Sequence, residues 1–255
     1  MLAWSGTEDG LVRAFTDRSG GVSQGVYDGL NLGGHVGDDP ERVRANRALV
    51  EQATGLRLVL ADQVHGAEVL HVTEEVLRRE PSPTGGVGTA DAMVTDLPGL
   101  GLGVLVADCT PVLLHDLDGP LVGVAHAGRP GMLAGVVPAL VAAMRDLGAG
   151  QLVATVGPSV CGRCYEVPDQ MRDQAAGAAP AAVAVSWTGT PAIDVAAGVV
   201  AQLTAAQVPL TWVPGCVRED RRWYSHRRDG VTGRFAGVVG RREDPRGGRA
   251  MSDDE

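Results

Sequence analysis

Hydrophobic positions along the chain follow two patterns, one typical of helices and one of buried strands. Three segments carry apolar residues at helical spacing. The helices predicted in this way span 40–54, 136–147 and 194–207. Several short runs are almost continuously apolar, which is typical of strands buried on both faces. The predicted strands span 58–60, 67–72, 101–107, 111–114, 121–125, 152–156 and 210–213.

Polar residues, glycines and prolines mark the ends and connections of these elements. Asp39 precedes Pro40 and is expected to cap the first helix. Two prolines and three glycines predict a loop over 78–89, and Gly128 to Gly131 predict a turn. From Glu243 onward the chain is charged and lacks an apolar pattern, which indicates a solvated tail.

The mixture of helices and strands predicts the fold class. Helical and strand patterns intermix, and we find neither an internal repeat nor a break in composition. We therefore expect a single α+β domain over residues 1–242, followed by a disordered C-terminal tail over 243–255.

Composition and charge exclude several functions. The 255 residues are 44% apolar, enough for a substantial core, and the formal net charge of −9 argues against non-specific binding of nucleic acid. All 22 basic residues are arginine, which excludes a Schiff-base or phosphate-loop lysine. We expect a cytoplasmic protein, because the sequence has neither a membrane-spanning apolar run nor a recognisable signal peptide.

Three residues in separate predicted strands or bends could form one site. His65 lies at a bend, Cys109 interrupts two apolar runs, and His126 ends a third. Two imidazoles and a thiolate would suit zinc and leave a fourth position open, as in catalytic sites. The same residues also allow a nucleophilic Cys109 with His126 as base, completed by Asp108 or His65. Spacing alone does not separate these alternatives from ordinary buried residues.

Other polar residues give weaker signals. Cys161 and Cys164 form a lone C-x-x-C, for which packing within a loop is the simplest interpretation. His115, beside Asp116 and Asp118, is expected to face solvent. Arginine side chains can grip phosphate or carboxylate groups through two hydrogen bonds. The arginines that could do so here are Arg18, Arg129, Arg221, Arg222, Arg227, Arg228 and Arg234.

Several motifs resemble the YfiH family, also described as a laccase-domain or polyphenol oxidase family. They occur in family order from about residue 13 to residue 238. The matching segments begin at Asn31 (NLGGHVGDD), Gln63 (QVHG), Ala90 (ADAMVT), Ala107 (ADCTPVLL), Ala125 (AHAG), Cys164 (CYEV) and Ser225 (SHRRDGVTGRFA).

The resemblance implies a fold, a metal and a chemistry. Its fold would be an α+β domain with mixed β-sheets in a sandwich-like core flanked by helices. Its metal would be zinc held by His65, Cys109 and His126, which would also be the catalytic residues. It implies phosphorolysis of adenosine, inosine, guanosine and methylthioadenosine, together with deamination of adenosine. Purine nucleosides and phosphate are then the expected partners, and the side chains expected to bind them are Arg18, Asn31, Arg129 and Arg228.

The sequence departs from the family pattern near one of these residues. Family members usually read H-A-G-W-R-G, whereas this chain has an arginine and a proline at positions 129 and 130. Two further hypotheses stay open. One, implied by the resemblance, is a cysteine hydrolase or amidase acting on cell-wall precursors through Cys109 and His126. The other, suggested by the altered segment, is a non-catalytic nucleoside-binding module. Six scattered histidines cannot supply the copper sites of a laccase, so any copper binding is expected to be adventitious.

Overall fold

The computed structural model describes residues 1–243, so the predicted tail lies outside the described residues except for Glu243. Fourteen strands occur in this part of the chain. They are β1 (Leu2–Glu8), β2 (Leu11–Thr16), β3 (Arg57–Asp62), β4 (Val69–His71), β5 (Gly86–Thr89), β6 (Ala92–Thr95), β7 (Leu100–Val106), β8 (Thr110–Asp116), β9 (Val122–Ala127), β10 (Leu152–Val156), β11 (Val183–Val185), β12 (Pro191–Ile193), β13 (Leu210–Trp212) and β14 (Phe235–Arg241).

Seven α-helices accompany these strands within residues 1–243. They are α1 (Pro40–Thr54), α2 (Glu74–Leu77), α3 (Arg129–Ala134), α4 (Val136–Asp146), α5 (Asp169–Ala178), α6 (Val195–Ala205) and α7 (His226–Asp229). No helix within this range is long and apolar enough to cross a membrane.

Two six-stranded mixed sheets form the frame of the molecule. The first has the order β1-β2-β14-β7-β3-β5, and its last two pairings are parallel. The second has the order β13-β10-β8-β9-β6-β4 and is parallel only at its two outer pairings. Strands β11 and β12 form a separate antiparallel hairpin. The predicted α+β fold with mixed sheets is confirmed.

The hydrophobic core has three layers that follow the two sheets. Between the sheets, Phe15 and Leu102 of the first pack with Leu113 and Val124 of the second. Helices α3, α4 and α6 bury their apolar residues against the outer face of the second sheet. Helix α1 contributes Val50 to a smaller cluster on the first sheet. Both sheets are thus covered on the outside, as expected of a sandwich flanked by helices.

The predicted helices form largely where the sequence places them. Helix α1 has the predicted bounds, and the Asp39 carboxylate accepts a hydrogen bond from the Glu41 N–H at 2.9 Å. It ends at Gly55, whose φ of 69° is in the left-handed region that favours glycine. Asp194 caps α6 in the same manner as Asp39 caps α1, by accepting a hydrogen bond from the Ala197 N–H.

Two predicted connections are partly wrong. The loop over 78–89 contains β5, an edge strand that pairs in parallel with β3. Its sequence, GVGT, has too few apolar side chains to show a strand pattern. The turn at Gly128–Gly131 is the start of α3, with a proline in its first turn, where a missing N–H costs nothing.

His115 was expected to face solvent but is only 5% exposed. It lies in β8, every residue of which is buried, and its Nδ1 has no hydrogen-bond partner. Burial, and then the charges of Arg13 and Arg241, lower the pKa of His115 to about 4. The neighbouring aspartates made the segment look more polar than its position in the second sheet allows.

Connections that cross between the sheets gather the chemically active residues. The chain passes from the first sheet to the second three times, after β3, after β5 and after β7. These crossings carry His65, Asp91 and Cys109 respectively. The return from β13 to β14 carries the segment 214–234. Residues far apart in sequence therefore converge where the chain changes sheets.

Candidate metal centre

His65, Cys109 and His126 come together as the sequence predicted. Their candidate ligand atoms all lie within 4.8 Å of one another, and Cys109 Sγ is 3.7 Å from His65 Nε2. His126 is buried in β9, Cys109 is half-buried, and His65 is exposed. His65 has a φ of 61°, an uncommon value for a residue with a side chain. Its backbone is therefore held in a specific conformation at the centre.

Asp91 is the residue that holds this conformation. Its Oδ1 accepts hydrogen bonds from the His65 N–H at 2.9 Å and from His126 Nδ1 at 2.8 Å. Its Oδ2 accepts the N–H groups of Val64 at 3.0 Å and Gly66 at 2.7 Å. With its Nδ1 proton donated to Asp91, His126 can offer Nε2 to a metal, which would displace any proton carried there. A carboxylate behind a ligating histidine is the usual supporting contact in zinc proteins.

The electrostatics favour a thiolate at Cys109. Burial raises the pKa of Cys109, but the charge of His126 and hydrogen bonds from both histidines outweigh it and bring the pKa to about 6. Burial lowers the pKa of His126, whereas the Cys109 thiolate and Asp91 raise it to about 9. The negative charges of the Cys109 thiolate and the Asp91 carboxylate therefore favour binding of a cation at this site.

The donor set fits zinc. Two imidazoles and one thiolate are ordinary zinc ligands, and three protein ligands leave one position open. Gly128 leaves room for this arrangement, since a Cβ at that position would lie 2.5 Å from His65 Cδ2 and 3.1 Å from Cys109 Sγ. Only glycine fits there without moving a ligand.

A pocket of about 400 Å³ opens beside the three ligands. Its apolar lining residues include Leu105, Val160, Tyr165 and Val195. Its basic lining residues are His35, Arg129, Arg227 and Arg234, and the Arg227 guanidinium lies 4.8 Å from the centre of the Tyr165 ring. A volume of this size suits a small organic molecule rather than a macromolecule. The pocket therefore combines an apolar surface, positive charge and a metal-binding group of residues.

Two of the basic lining residues, Arg227 and Arg234, come from the segment that returns to β14. Asp108, with a φ of 103°, accepts hydrogen bonds from Ser225 Oγ and the Arg227 N–H, both at 2.6 Å. Asp108 therefore holds the start of α7 and does not contact His126. The sequence interpretation that named Asp108 to complete a site with Cys109 and His126 is wrong, because Asp91 is the acidic partner of His126.

Of the four residues expected to bind substrate, the structure places only Arg129 on the pocket wall. Arg18 donates to the Asp28 carbonyl and lies over the Tyr224 ring, 5.0 Å from its centroid. Asn31 is fully buried, and its Oδ1 accepts the Arg234 N–H at 2.8 Å. Arg228 donates to backbone carbonyls and to the adjacent Asp229. These contacts occupy the polar groups of Arg18, Asn31 and Arg228 away from the pocket.

Sequence reasoning missed several residues at the site. Asp91 was part of a recognised motif but had no assigned role, and its position before β6 gave the only signal. His35 and His226 lie within recognised motifs but had no assigned role, yet both line the pocket. Arg227 and Arg234 were two members of a larger arginine group, and only the fold distinguishes them from the others.

The cluster does not provide the sites of a multicopper oxidase. All six histidines lie within the described residues, and only two of them belong to a potential metal-binding group there. A blue copper and a three-copper cluster together require many more imidazoles.

Comparison with known proteins places the chain in a family. Residues 12–242 match the family described as multi-copper polyphenol oxidoreductase laccase. A protein of Streptomyces coelicolor named purine nucleoside phosphorylase is 50% identical over 245 residues, covering 94% of this chain and 99% of that protein. One of the same name from Corynebacterium glutamicum is 40% identical over 233 residues, covering 89% and 93%.

Solved structures show the same architecture. YlmD from Geobacillus stearothermophilus superposes with a TM-score of 0.83 at 32% identity, covering 92% of this chain and 93% of that one. The hypothetical protein YfiH from Bacillus licheniformis also gives a TM-score of 0.83, at 28% identity, with coverage of 91% and 93%. The chain belongs to the laccase-like YfiH family.

Proposed function

We propose that this protein is a zinc-dependent purine nucleoside phosphorylase that acts at the pocket beside His65, Cys109 and His126. The observation that carries the proposal is the placement of this ligand group on the wall of a pocket that is also lined by arginine and apolar side chains. The names of the relatives from Streptomyces and Corynebacterium support the same reaction.

The two kinds of lining residue suit the two substrates. Arg129, Arg227 and Arg234 supply cationic groups for phosphate, which arginine binds through paired hydrogen bonds. The apolar wall around Leu105 and Tyr165 suits the purine ring. Binding both in one pocket converts a bimolecular reaction into an effectively unimolecular one, which lowers its barrier substantially.

Zinc bound here would supply Lewis-acid polarisation of an oxygen atom at its open position. The protein residues do the remaining work. Asp91 orients His65 and His126, and the arginine side chains hold phosphate against the sugar carbon that it attacks. The bond from that carbon to the purine nitrogen breaks, the purine leaves with the bonding electron pair and takes up the proton that the attacking phosphate releases, and the sugar leaves as its 1-phosphate. The positive charge that develops on the ribosyl group is offset by the phosphate itself.

The proposed substrates are adenosine, inosine, guanosine and methylthioadenosine. Water can also attack, at a different carbon from phosphate. In adenosine, attack of water at the purine carbon that carries the amine would give inosine and ammonia. We include this deamination as a second reaction of the same pocket. Chromatography of each nucleoside with and without phosphate separates the outcomes, since phosphorolysis gives free base and sugar phosphate only when phosphate is present.

A matched pair of histidine variants tests whether the pocket carries the activity. His65→Gln removes a ligand, whereas His71→Gln changes an exposed histidine of β4 outside the pocket. We expect base release to fall by at least about 100-fold in His65→Gln, because the metal loses one of three ligands. We expect His71→Gln to retain the wild-type rate. Equal rates in both variants would contradict the proposal.

One observation favours a second candidate function. Cys109, His126 and Asp91 form a chain of thiol, imidazole and carboxylate like that of a cysteine hydrolase. Such an enzyme would cleave an amide, with cell-wall precursors as the proposed substrates. Its activity would persist after chelation of the metal and disappear on alkylation of Cys109, whereas phosphorolysis would be lost on chelation.

A further inference from the structure

A second group of metal-binding side chains lies behind the pocket. Within residues 1–243, Cys161, Cys164, Cys216 and Glu219 place three sulfur atoms and a carboxylate oxygen within 4.8 Å of one another. All three cysteines are free thiols. The sequence alone showed a C-x-x-C pair, but the fold brings a second turn, 52 residues further along the chain, against it.

The two turns have the same backbone design. In the first, the N–H groups of Cys164 and Tyr165 donate to the Cys161 carbonyl at 2.9 and 3.1 Å. In the second, the N–H groups of Glu219 and Asp220 donate to the Cys216 carbonyl at 3.1 and 3.0 Å. Each turn thus places two ligand residues three positions apart on one side, as in the C-x-x-C turns of structural zinc sites.

A backbone bridge fixes the two turns against each other. Ser159 donates its N–H to the Gly215 carbonyl at 3.2 Å, and its own carbonyl accepts the Val217 N–H at 3.1 Å. The Glu219 carboxylate also accepts hydrogen bonds from the Cys164 thiol at 3.2 Å and from Trp187 Nε1 at 3.3 Å. The four donor groups are therefore positioned by contacts that do not depend on the metal.

We propose that Cys161, Cys164, Cys216 and Glu219 bind a structural zinc ion distinct from the candidate metal centre. Three thiolates and one carboxylate complete a tetrahedral set, so no position stays open for substrate. A disulfide would join only two of the three sulfur atoms and leave the third unpaired. Each turn also carries an arginine directly before its second ligand, Arg163 and Arg218, which offsets the excess negative charge of such a site.

The ion would connect one part of the pocket wall to the segment that carries the lining residues Arg227 and Arg234. Val160 and Tyr165, which flank the first turn, line the pocket. The second turn leads through Trp223 to Arg227, whose guanidinium lies 4.8 Å from the centre of the Tyr165 ring. Cross-linking the two turns would keep Arg227 in its position against the Tyr165 ring. The second zinc site would stabilise the wall of the pocket, and this role does not depend on the reaction proposed for the pocket.

Metal content measured on protein purified under reducing conditions tests the proposal. After loading with zinc and removal of excess, we expect about two zinc ions per wild-type chain and about one in either Cys216→Ser or Cys109→Ser. The double variant should bind none. Cobalt substituted into Cys109→Ser should show sulfur-to-cobalt charge-transfer absorption about three times as intense as cobalt in Cys216→Ser, because three thiolates replace one.

Glu219→Gln tests the fourth ligand without touching a cysteine. Glu219 is exposed, so this variant is expected to fold, and it should release its second zinc ion to a chromophoric chelator at least 10-fold faster than the wild type. Asp118→Asn, a change of an exposed acid elsewhere, should not alter this release. If Cys216→Ser does not fold, this comparison decides the question.

Three results would overturn the proposal. One is a wild-type chain that binds a single zinc ion, lost in Cys109→Ser. Another is a disulfide among the three cysteines after purification under reducing conditions, detected by mass after alkylation. The third is unchanged zinc release in Glu219→Gln, which would remove the glutamate from the site.

Discussion

Asp91→Asn is the substitution that most directly tests how the candidate metal centre is organised. The change keeps the shape of the side chain but replaces one acceptor oxygen by an NH₂ group, which can only donate. Each carboxylate oxygen of Asp91 accepts two hydrogen bonds, so an amide satisfies one pair and opposes the other. Neither orientation of the amide restores all four contacts.

The two orientations have different costs. If the NH₂ group faces Val64 and Gly66, two backbone N–H groups lose their acceptor, at about 1–3 kcal/mol each when buried. If it faces His126, the His65 N–H loses its acceptor, and the imidazole must accept at Nδ1 and carry its proton on Nε2, where a metal would bind. The first orientation lowers the free energy of unfolding by roughly 2–6 kcal/mol. The second weakens zinc binding by about 10–100-fold.

Zinc titration against a competing chelator and urea unfolding of the metal-free protein measure these two effects separately. Asp96→Asn is the matched control, because Asp96 is an exposed acid five positions further along the chain. We expect Asp91→Asn to lose zinc affinity, unfolding free energy or both, and Asp96→Asn to lose neither. Wild-type values for both quantities in Asp91→Asn would refute the supporting role of the carboxylate.

Three further predictions concern other parts of the molecule. Gly128→Ala should lower zinc affinity by at least about 10-fold, since its Cβ would displace His65. Gly177→Ala should leave zinc affinity unchanged, because a Cβ there meets nothing within 4 Å beyond its chain neighbours and its own helix backbone. Chelator competition measures both affinities. His115 has a folded pKa of about 4, below its unfolded value, so the free energy of unfolding of the wild type falls as pH drops from about 6.5 towards 4. His115→Gln lacks this titrating group, and urea unfolding should show that its free energy of unfolding falls by about 2–3 kcal/mol less over the same pH range. Arg129→Gln should raise the KM for phosphate by about 10-fold or more, which corresponds to the loss of one hydrogen bond to a charged group. Initial rates at varied phosphate measure this KM, and an unchanged KM would contradict the role of Arg129.

Much of the fold was predictable because local signals were strong. Helix α1 has a capping aspartate, a proline in its first turn and a terminal glycine, and its predicted bounds match the structure. The central strands β7, β8 and β9 are buried on both faces, so they appear as apolar runs. The edge strand β5 has no such pattern because pairing, rather than burial, places it in the sheet.

The candidate site was predictable only in part, for a related reason. The two histidines and Cys109 stand out because their residue types carry chemistry at strand ends. Asp91 does not, since its role depends on hydrogen bonds to a turn 25–27 residues away in sequence and to His126. Cys216 was likewise unconnected to Cys161 until the fold brought the two turns together. Contacts between distant segments carry information that spacing along the chain does not contain.

The central claim is that phosphorolysis of a purine nucleoside occurs at a metal held by His65, Cys109 and His126. Phosphate-dependent release of hypoxanthine from inosine tests it most directly, with zinc-loaded wild type compared with Cys109→Ala. We predict release by the wild type only when phosphate is present, with ribose 1-phosphate in equal amount, and its loss in the variant. Release without phosphate, or an equal rate in Cys109→Ala, would contradict the claim.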